Sequence, residues 1–185
     1  MAVILIHIKR ARNWGIANIL PILFVAYLGS WFPDIDQRTD LITHRSIFTH
    51  GFLLPLALFF LSYKSKSTRF RTLVMVFLIA FAIHLCFDMY PKGWYMHALI
   101  HVPSIGWIPA IFSQIWIIVS IFICTYAAIR LIDNRYQAML FILSTIVIFL
   151  YQGLSEATLL SPLVLLVIID SIVAVRMYKT RVITE

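Results

Sequence analysis

Apolar residues run along this chain in six long blocks, at roughly residues 15–32, 47–63, 72–90, 108–131, 138–152 and 162–175, and polar residues gather in the links between them. The blocks lack the alternation of a half-buried strand, and most approach the length of about 20 residues that a helix needs to cross hydrocarbon. The pattern predicts six transmembrane helices. The fifth and sixth are the short ones, so their link, Gly153 to Ser161, is expected to dip into the membrane or to lengthen both helices. Pro33 closes the first block, and His50 is expected in the first turn of the second helix.

Composition narrows the class. The 185 residues are 62% hydrophobic and 12% charged, with mean hydropathy +0.93, whereas soluble domains are about half apolar and a quarter charged. A soluble globular protein is excluded, and 15% aromatic residues exclude a disordered chain. The expectation is an all-α polytopic membrane protein, a single transmembrane domain over residues 1–185 without an appended soluble module.

The net charge of +7 would suggest nucleic acid in a soluble protein, but short cytoplasmic loops of membrane proteins collect Lys and Arg. With the N-terminus inside, Lys9, Arg10, Arg12, Lys64, Lys66, Arg69, Arg71, Arg130, Arg135, Arg176, Lys179 and Arg181 all face the cytoplasm. Only Arg38, Arg45 and Lys92 face out. Both termini are therefore expected inside, with anionic lipid rather than nucleic acid as the partner of the basic residues. Lys9 to Arg12 ahead of a stretch ending in Ala26, Gly29 and Ser30 also fits a cleaved signal peptide; otherwise Met1 to Ile8 lies along the inner interface. Cys86 and Cys124 form no CxxC motif and lie at different depths, so both read as small packed hydrophobes.

Polar groups near hydrocarbon are costly and tend to mark function. Here they converge. His44, His50, His84, His97 and His101, with Asp34, Asp36, Asp40 and Asp88, fall between the first and fourth spans on the face assigned as outer. The first cluster reads Pro33-Asp34-Ile35-Asp36, then His44-Arg45, then Thr49-His50-Gly51. A turn after Pro33 is expected to aim Asp34 and Asp36 at one cation. The second is His84-x-x-x-Asp88, whose spacing puts an imidazole and a carboxylate on one helical face. Buried together, these groups need compensating charge, which a metal ion supplies.

Asp34, Asp36, His44, His50, His84 and Asp88 are thus six candidate ligands, with Thr49 behind them. The surplus over three protein ligands suggests two ions or one ion with outer partners. Nitrogen and oxygen donors without thiolate favour zinc, then manganese or iron. Asp40 and Arg38 read as a solvated pair. Between Pro91 and Pro109, Trp94, Tyr95 and Trp107 fit an interfacial belt. His97 and His101 share a face if that stretch is a short helix, either touching lipid headgroups or giving a proton to a leaving group. Asp170, mid-span, needs a partner, for which Arg130, Ser171 or a tyrosine is the candidate, and Glu156 is an outer-link acid outside the ligand set.

The ordered set PDID, HR, THG and HxxxD, spanning roughly residues 29–93, resembles the LexA-regulated YdjM type of bacterial inner-membrane protein, described as membrane-bound metal-dependent hydrolases. The resemblance implies that Asp34, Asp36, His44, His50, His84 and Asp88 are metal ligands or their neighbours, with Arg45 beside them. It does not extend beyond Trp94. Phosphatidic-acid-type phosphatases are excluded, because Leu78 stands where they need arginine and a PSGH segment is missing. HExxH and GxSxG are missing too.

The expected function is hydrolysis by metal-activated water at the outer interface of the inner membrane, on a lipid-linked phosphoester or phosphodiester. Arg45 would stabilise the anionic transition state, and His97 or His101 would serve as proton donor or gate. The alternative is a non-catalytic membrane protein with a structural or transported metal. No internal repeat of the transporter kind is present, and the polar cluster sits at one end of the helices rather than at mid-depth.

Overall fold

The computed structural model describes residues 16–38, 43–89, 98–154 and 159–183. Helix α1 (Ile16–Trp31) continues into a 3-10 helix (Phe32–Arg38). Then come α2 (Leu53–Lys64), α3 (Thr68–Asp88), a hairpin of β1 (His101–Val102) and β2 (Gly106–Trp107), and helices α4 (Ala110–Arg130), α5 (Arg135–Gly153) and α6 (Leu160–Ile183). The expectations for Met1 to Arg12, Asp40, Lys92, Trp94, Tyr95, His97 and Glu156 lie outside the described residues.

A helix that is apolar all round is stable only when other elements cover it all round. α3 is such a helix. Ser67 starts it by accepting a hydrogen bond from the Phe70 N–H, and every residue from Val74 to Asp88 is buried. The other five helices all pack against it, and they approach it closely where residues are small. A Cβ at Gly29 would lie 2.6 Å from the Phe77 carbonyl oxygen and 2.8 Å from the Ala80 Cβ. Gly29→Ala is therefore expected to push α1 off α3 and lower stability by about 1–3 kcal/mol, read as a lower thermal midpoint in detergent.

Four helices are long and apolar enough to cross a membrane: Ile19–Arg38, which includes the 3-10 helix, Thr68–Asp88, Ala110–Arg130 and Arg135–Gly153. Outside α3 they turn large apolar side chains outward, such as Leu20, Leu23 and Phe24 on α1, Phe112 and Phe122 on α4, and Leu143 and Leu150 on α5. Water would not tolerate so continuous an apolar surface, and lipid covers it without cost. The fold is that of an all-α membrane protein. Leu53–Lys64 and Pro162–Val175 are shorter apolar segments.

The short helix among the first five is the second, not the fifth. α5 has 19 residues, whereas α2 has 12, about 18 Å of rise. The apolar block from residue 47 does not start a helix, because Ser46 to Gly51 are wound into turns that bury polar side chains, and His50 precedes α2 instead of lying in its first turn. Around His101 the chain is a strand, turned back at Ser104 (φ 67°) and Gly106 (φ 94°), so no interfacial helix passes through it. Cys86 and Cys124 are buried thiols rather than a disulfide.

At the end of the bundle away from the acid and imidazole cluster, Arg71 pairs with Asp133 at 2.6 Å. Gln137 donates to the Thr72 hydroxyl at 2.9 Å and accepts from the Asp133 N–H at 2.8 Å. These bonds fix the start of α5 against the start of α3. Farther along α5, Thr145 is the partner of Asp170, at 2.9 and 3.0 Å, in place of Arg130 or Ser171.

Candidate metal centre

The end of α1, the turns before α2, the end of α3 and the end of α5 meet at one place, and the polar residues singled out in the sequence meet there too. The His84 Nε2 lies 3.2 Å from Asp88 Oδ2 and 3.8 Å from Asp34 Oδ1, while His50 Nε2 lies 3.3 Å from the same Asp88 oxygen. Asp34, His50 and His84 each offer a ligand atom within 4.8 Å of the others, the one such group among the described residues. Asp34 is the open edge of this group, its side chain 35% exposed and braced by a 2.8 Å bond from Gln37 Nε2.

The inner members face one another without a hydrogen bond. His50 Nε2, His84 Nε2 and Asp88 Oδ2 are buried and make no hydrogen bond among the described residues, although they lie close together. Buried polar atoms that lack a hydrogen bond are costly, and three that face one another at one spot mark a place that a cation would satisfy. The donor atoms on offer are imidazole nitrogens and carboxylate oxygens, the kinds that hold a divalent metal ion.

Asp36 stands behind His50 rather than beside Asp34. Its Oδ2 accepts from the Ser46 N–H at 3.1 Å and from the Thr49 hydroxyl at 2.5 Å, and its Oδ1 meets His44 Nδ1 at 3.0 Å. The expected convergence of Asp34 and Asp36 on one cation is not what the backbone produces. A 3-10 helix turns about 120° per residue, so side chains two apart project to different sides. The Thr49 hydroxyl has one hydrogen, which goes to Asp36, so at 3.0 Å it accepts from His50 Nδ1–H. That bond presents the other ring nitrogen to the cluster, the arrangement by which an outer carboxylate orients a metal-binding histidine. His44, half-exposed, faces Asp36 and Gln37 and lies outside the group of three.

Burial of His50 would push its pKa down, but the Asp36 and Asp88 carboxylates outweigh this and raise it from 6.5 to about 9. With no metal ion bound the site holds a proton there, which a cation must displace.

Arg45 is buried, its side chain 5% exposed, with Nη2 3.6 Å from Asp88 Oδ1. Asp88 therefore faces the two imidazoles with one oxygen and the guanidinium with the other. Arg45 adopts φ 60°, a left-handed conformation costly for a residue with a Cβ. The backbone of His101 holds it: Ile47 N–H donates to the His101 carbonyl and His101 N–H to the Arg45 carbonyl, both at 2.9 Å. The described role of His101 is this clamp, with its ring edge-on to Trp107 at 5.3 Å.

Two residues outside the motifs complete the assembly. Trp116 on α4 donates its indole N–H to the His50 carbonyl at 3.1 Å and covers Gly51, where a Cβ would meet its ring at 2.8 Å. Gln152 on α5 reaches His84 Nδ1 at 3.1 Å. The signal for Gln152 lies in the sequence as a polar residue on the buried stripe Gln137, Phe141, Ser144, Thr145, Ile148, Gln152 of α5. No family model, curated protein or solved structure matches this chain.

Proposed function

We propose that this chain is a membrane-embedded metal-dependent hydrolase of the YdjM-like type, acting at the outer face of the bacterial inner membrane on a lipid-linked phosphoester or phosphodiester. The observation that carries this reading is the pair of buried, unbonded imidazole nitrogens of His50 and His84 facing Asp88 and the half-exposed Asp34. A site closed by protein on all sides would serve only structure, whereas one open at Asp34 leaves room for a substrate.

A divalent ion bound there would supply Lewis acidity and a water that ionises near neutral pH. His50 and His84 would hold the ion, Asp36 and Thr49 would fix the His50 ring, and Asp34 would face the approaching substrate. The guanidinium of Arg45 offsets the carboxylate charge of Asp88 and lies beside the place where negative charge develops. Headgroup depth favours a lipid-borne substrate. The excess of Lys and Arg in the links assigned as inner supports six crossings with both termini inside.

A second reading, an ion that only locks α1, α2 and α3 together, is favoured by the burial of Arg45 against Asp88. The two readings separate in one set of measurements on purified full-length protein: zinc and manganese content, and turnover of a panel of lipid phosphates. Catalysis requires turnover that follows metal content and vanishes with chelation; a stoichiometric metal with no turnover on any substrate supports the structural reading. Metal uptake is expected to weaken as the medium is acidified from pH about 9, since His50 must first release its proton. Uptake independent of pH below that value would remove His50 from the ligand set.

A further inference from the structure

We infer that Gln152 is a positioning residue of the metal centre, whose carboxamide fixes the His84 imidazole so that Nε2 faces the cluster and Nδ1–H is held when a divalent ion is bound. The inference rests on the metal-centre reading above.

Gln152 is buried on α5 and enters the site from a helix that carries none of the motif residues. Its Nε2 lies 3.1 Å from His84 Nδ1 and 3.5 Å from the Ser30 carbonyl oxygen, so one carboxamide ties α5 to both α3 and the end of α1. His84 has its other nitrogen 3.2 Å from Asp88 and 3.8 Å from Asp34. The two ring nitrogens thus divide their surroundings cleanly, with one facing an amide and the other facing carboxylates.

A metal ligand nitrogen must offer its lone pair, which puts the ring hydrogen on the opposite nitrogen. In the orientation seen, the amide donates toward Nδ1, which suits a ring with its hydrogen on Nε2, pointing at Asp88. A half turn of the carboxamide brings its oxygen to Nδ1 and suits the metal-binding tautomer. Glutamine serves both states because its oxygen and nitrogen exchange places at little steric change. An aspartate or glutamate would serve only the second state and an apolar residue neither. Gln137, four turns earlier on the same helix, is anchored to Thr72 and the Asp133 N–H, which fixes α5 along its length and keeps Gln152 at His84.

The test is a zinc titration of the full chain in detergent, with Gln152→Met, which keeps the volume, and Gln152→Glu, which keeps an acceptor. Gln152→Met is expected to weaken zinc binding roughly 10- to 100-fold, the usual cost of losing an outer partner of a ligand histidine. Gln152→Glu is expected to match or exceed the wild-type affinity, because its carboxylate holds Nδ1–H. Nitrogen NMR of the zinc-loaded, histidine-labelled wild-type chain should show His84 protonated at Nδ1, a readout that needs no variant to fold. Wild-type affinity in Gln152→Met, equal weakening in both variants, or zinc on Nδ1 would each overturn the inference while leaving the metal centre standing. A wild-type chain that takes up no zinc would overturn the centre and the inference with it.

Discussion

Asp88→Ala should abolish metal uptake and unfold the protein at a lower temperature, and both effects should be the largest of any single substitution at the site. Among the described residues Asp88 is the one that meets His50, His84 and Arg45 together, at 3.3, 3.2 and 3.6 Å. Removing it leaves a buried guanidinium without that carboxylate, a kind of change that costs about 3–5 kcal/mol. The loss of metal affinity should exceed the roughly 10- to 100-fold that follows loss of an outer partner, because here a candidate ligand itself is gone. Asp88→Asn keeps the shape and a carbonyl oxygen but not the charge, and should fall between wild type and alanine in both measurements. Elemental analysis and thermal unfolding in detergent check this. Unchanged metal stoichiometry in Asp88→Ala would show that Asp88 is not part of the centre.

Arg45 should behave in the opposite way toward metal. Its charge opposes a divalent cation and stabilises the metal-free cluster of carboxylates, so Arg45→Ala should destabilise the metal-free protein while leaving metal affinity equal or higher. If the guanidinium also touches the reacting phosphoryl group, turnover per bound metal falls by about 100- to 1,000-fold. Arg45→Lys should recover part of the stability and little of the turnover, because an ammonium does not reproduce the guanidinium fork. The backbone adds a separate contribution. At φ 60°, glycine meets no Cβ clash, so Arg45→Gly should be more stable than Arg45→Ala by about 1–2 kcal/mol. Loss of metal from Arg45→Ala with normal turnover per remaining ion would make Arg45 a structural partner of Asp88 and nothing more.

The sequence made the place of the site legible because polar residues stand out against apolar blocks. Asp34, His50, His84 and Asp88 could be named from that contrast alone, and they do meet. The division of labour among them was not legible. Asp34 and Asp36 look equivalent in a linear motif, and only the pitch of the 3-10 helix sends one toward His84 and the other toward His44, Thr49 and Ser46. Hydropathy also overran the start of α2, since Ile47, Phe48 and Phe52 are apolar whether the chain is helical or wound into turns. Spacing would put His97 and His101 on one face if their stretch were helical, but it carries no information about the strand at His101 and the positive φ of Ser104 and Gly106 beyond it. Gln152, 68 residues from its partner His84, could be brought to the site only by the packing of α5 on α3.

The burial of α3 from Val74 to Asp88 has a consequence for how the surrounding bilayer acts on the centre. His84 and Asp88 ride on the part of α3 that other helices bury, while Asp34 continues from α1, whose Leu20, Leu23 and Phe24 face outward, and His50 lies just ahead of α2, whose Phe60 and Leu61 do the same. A change in hydrocarbon thickness tilts or shifts lipid-facing helices at a modest cost per ångström, yet it has no direct hold on that part of α3. The two halves of the ligand set therefore respond differently to the same membrane, and acyl-chain length becomes a variable that tunes the spacing of the donor atoms.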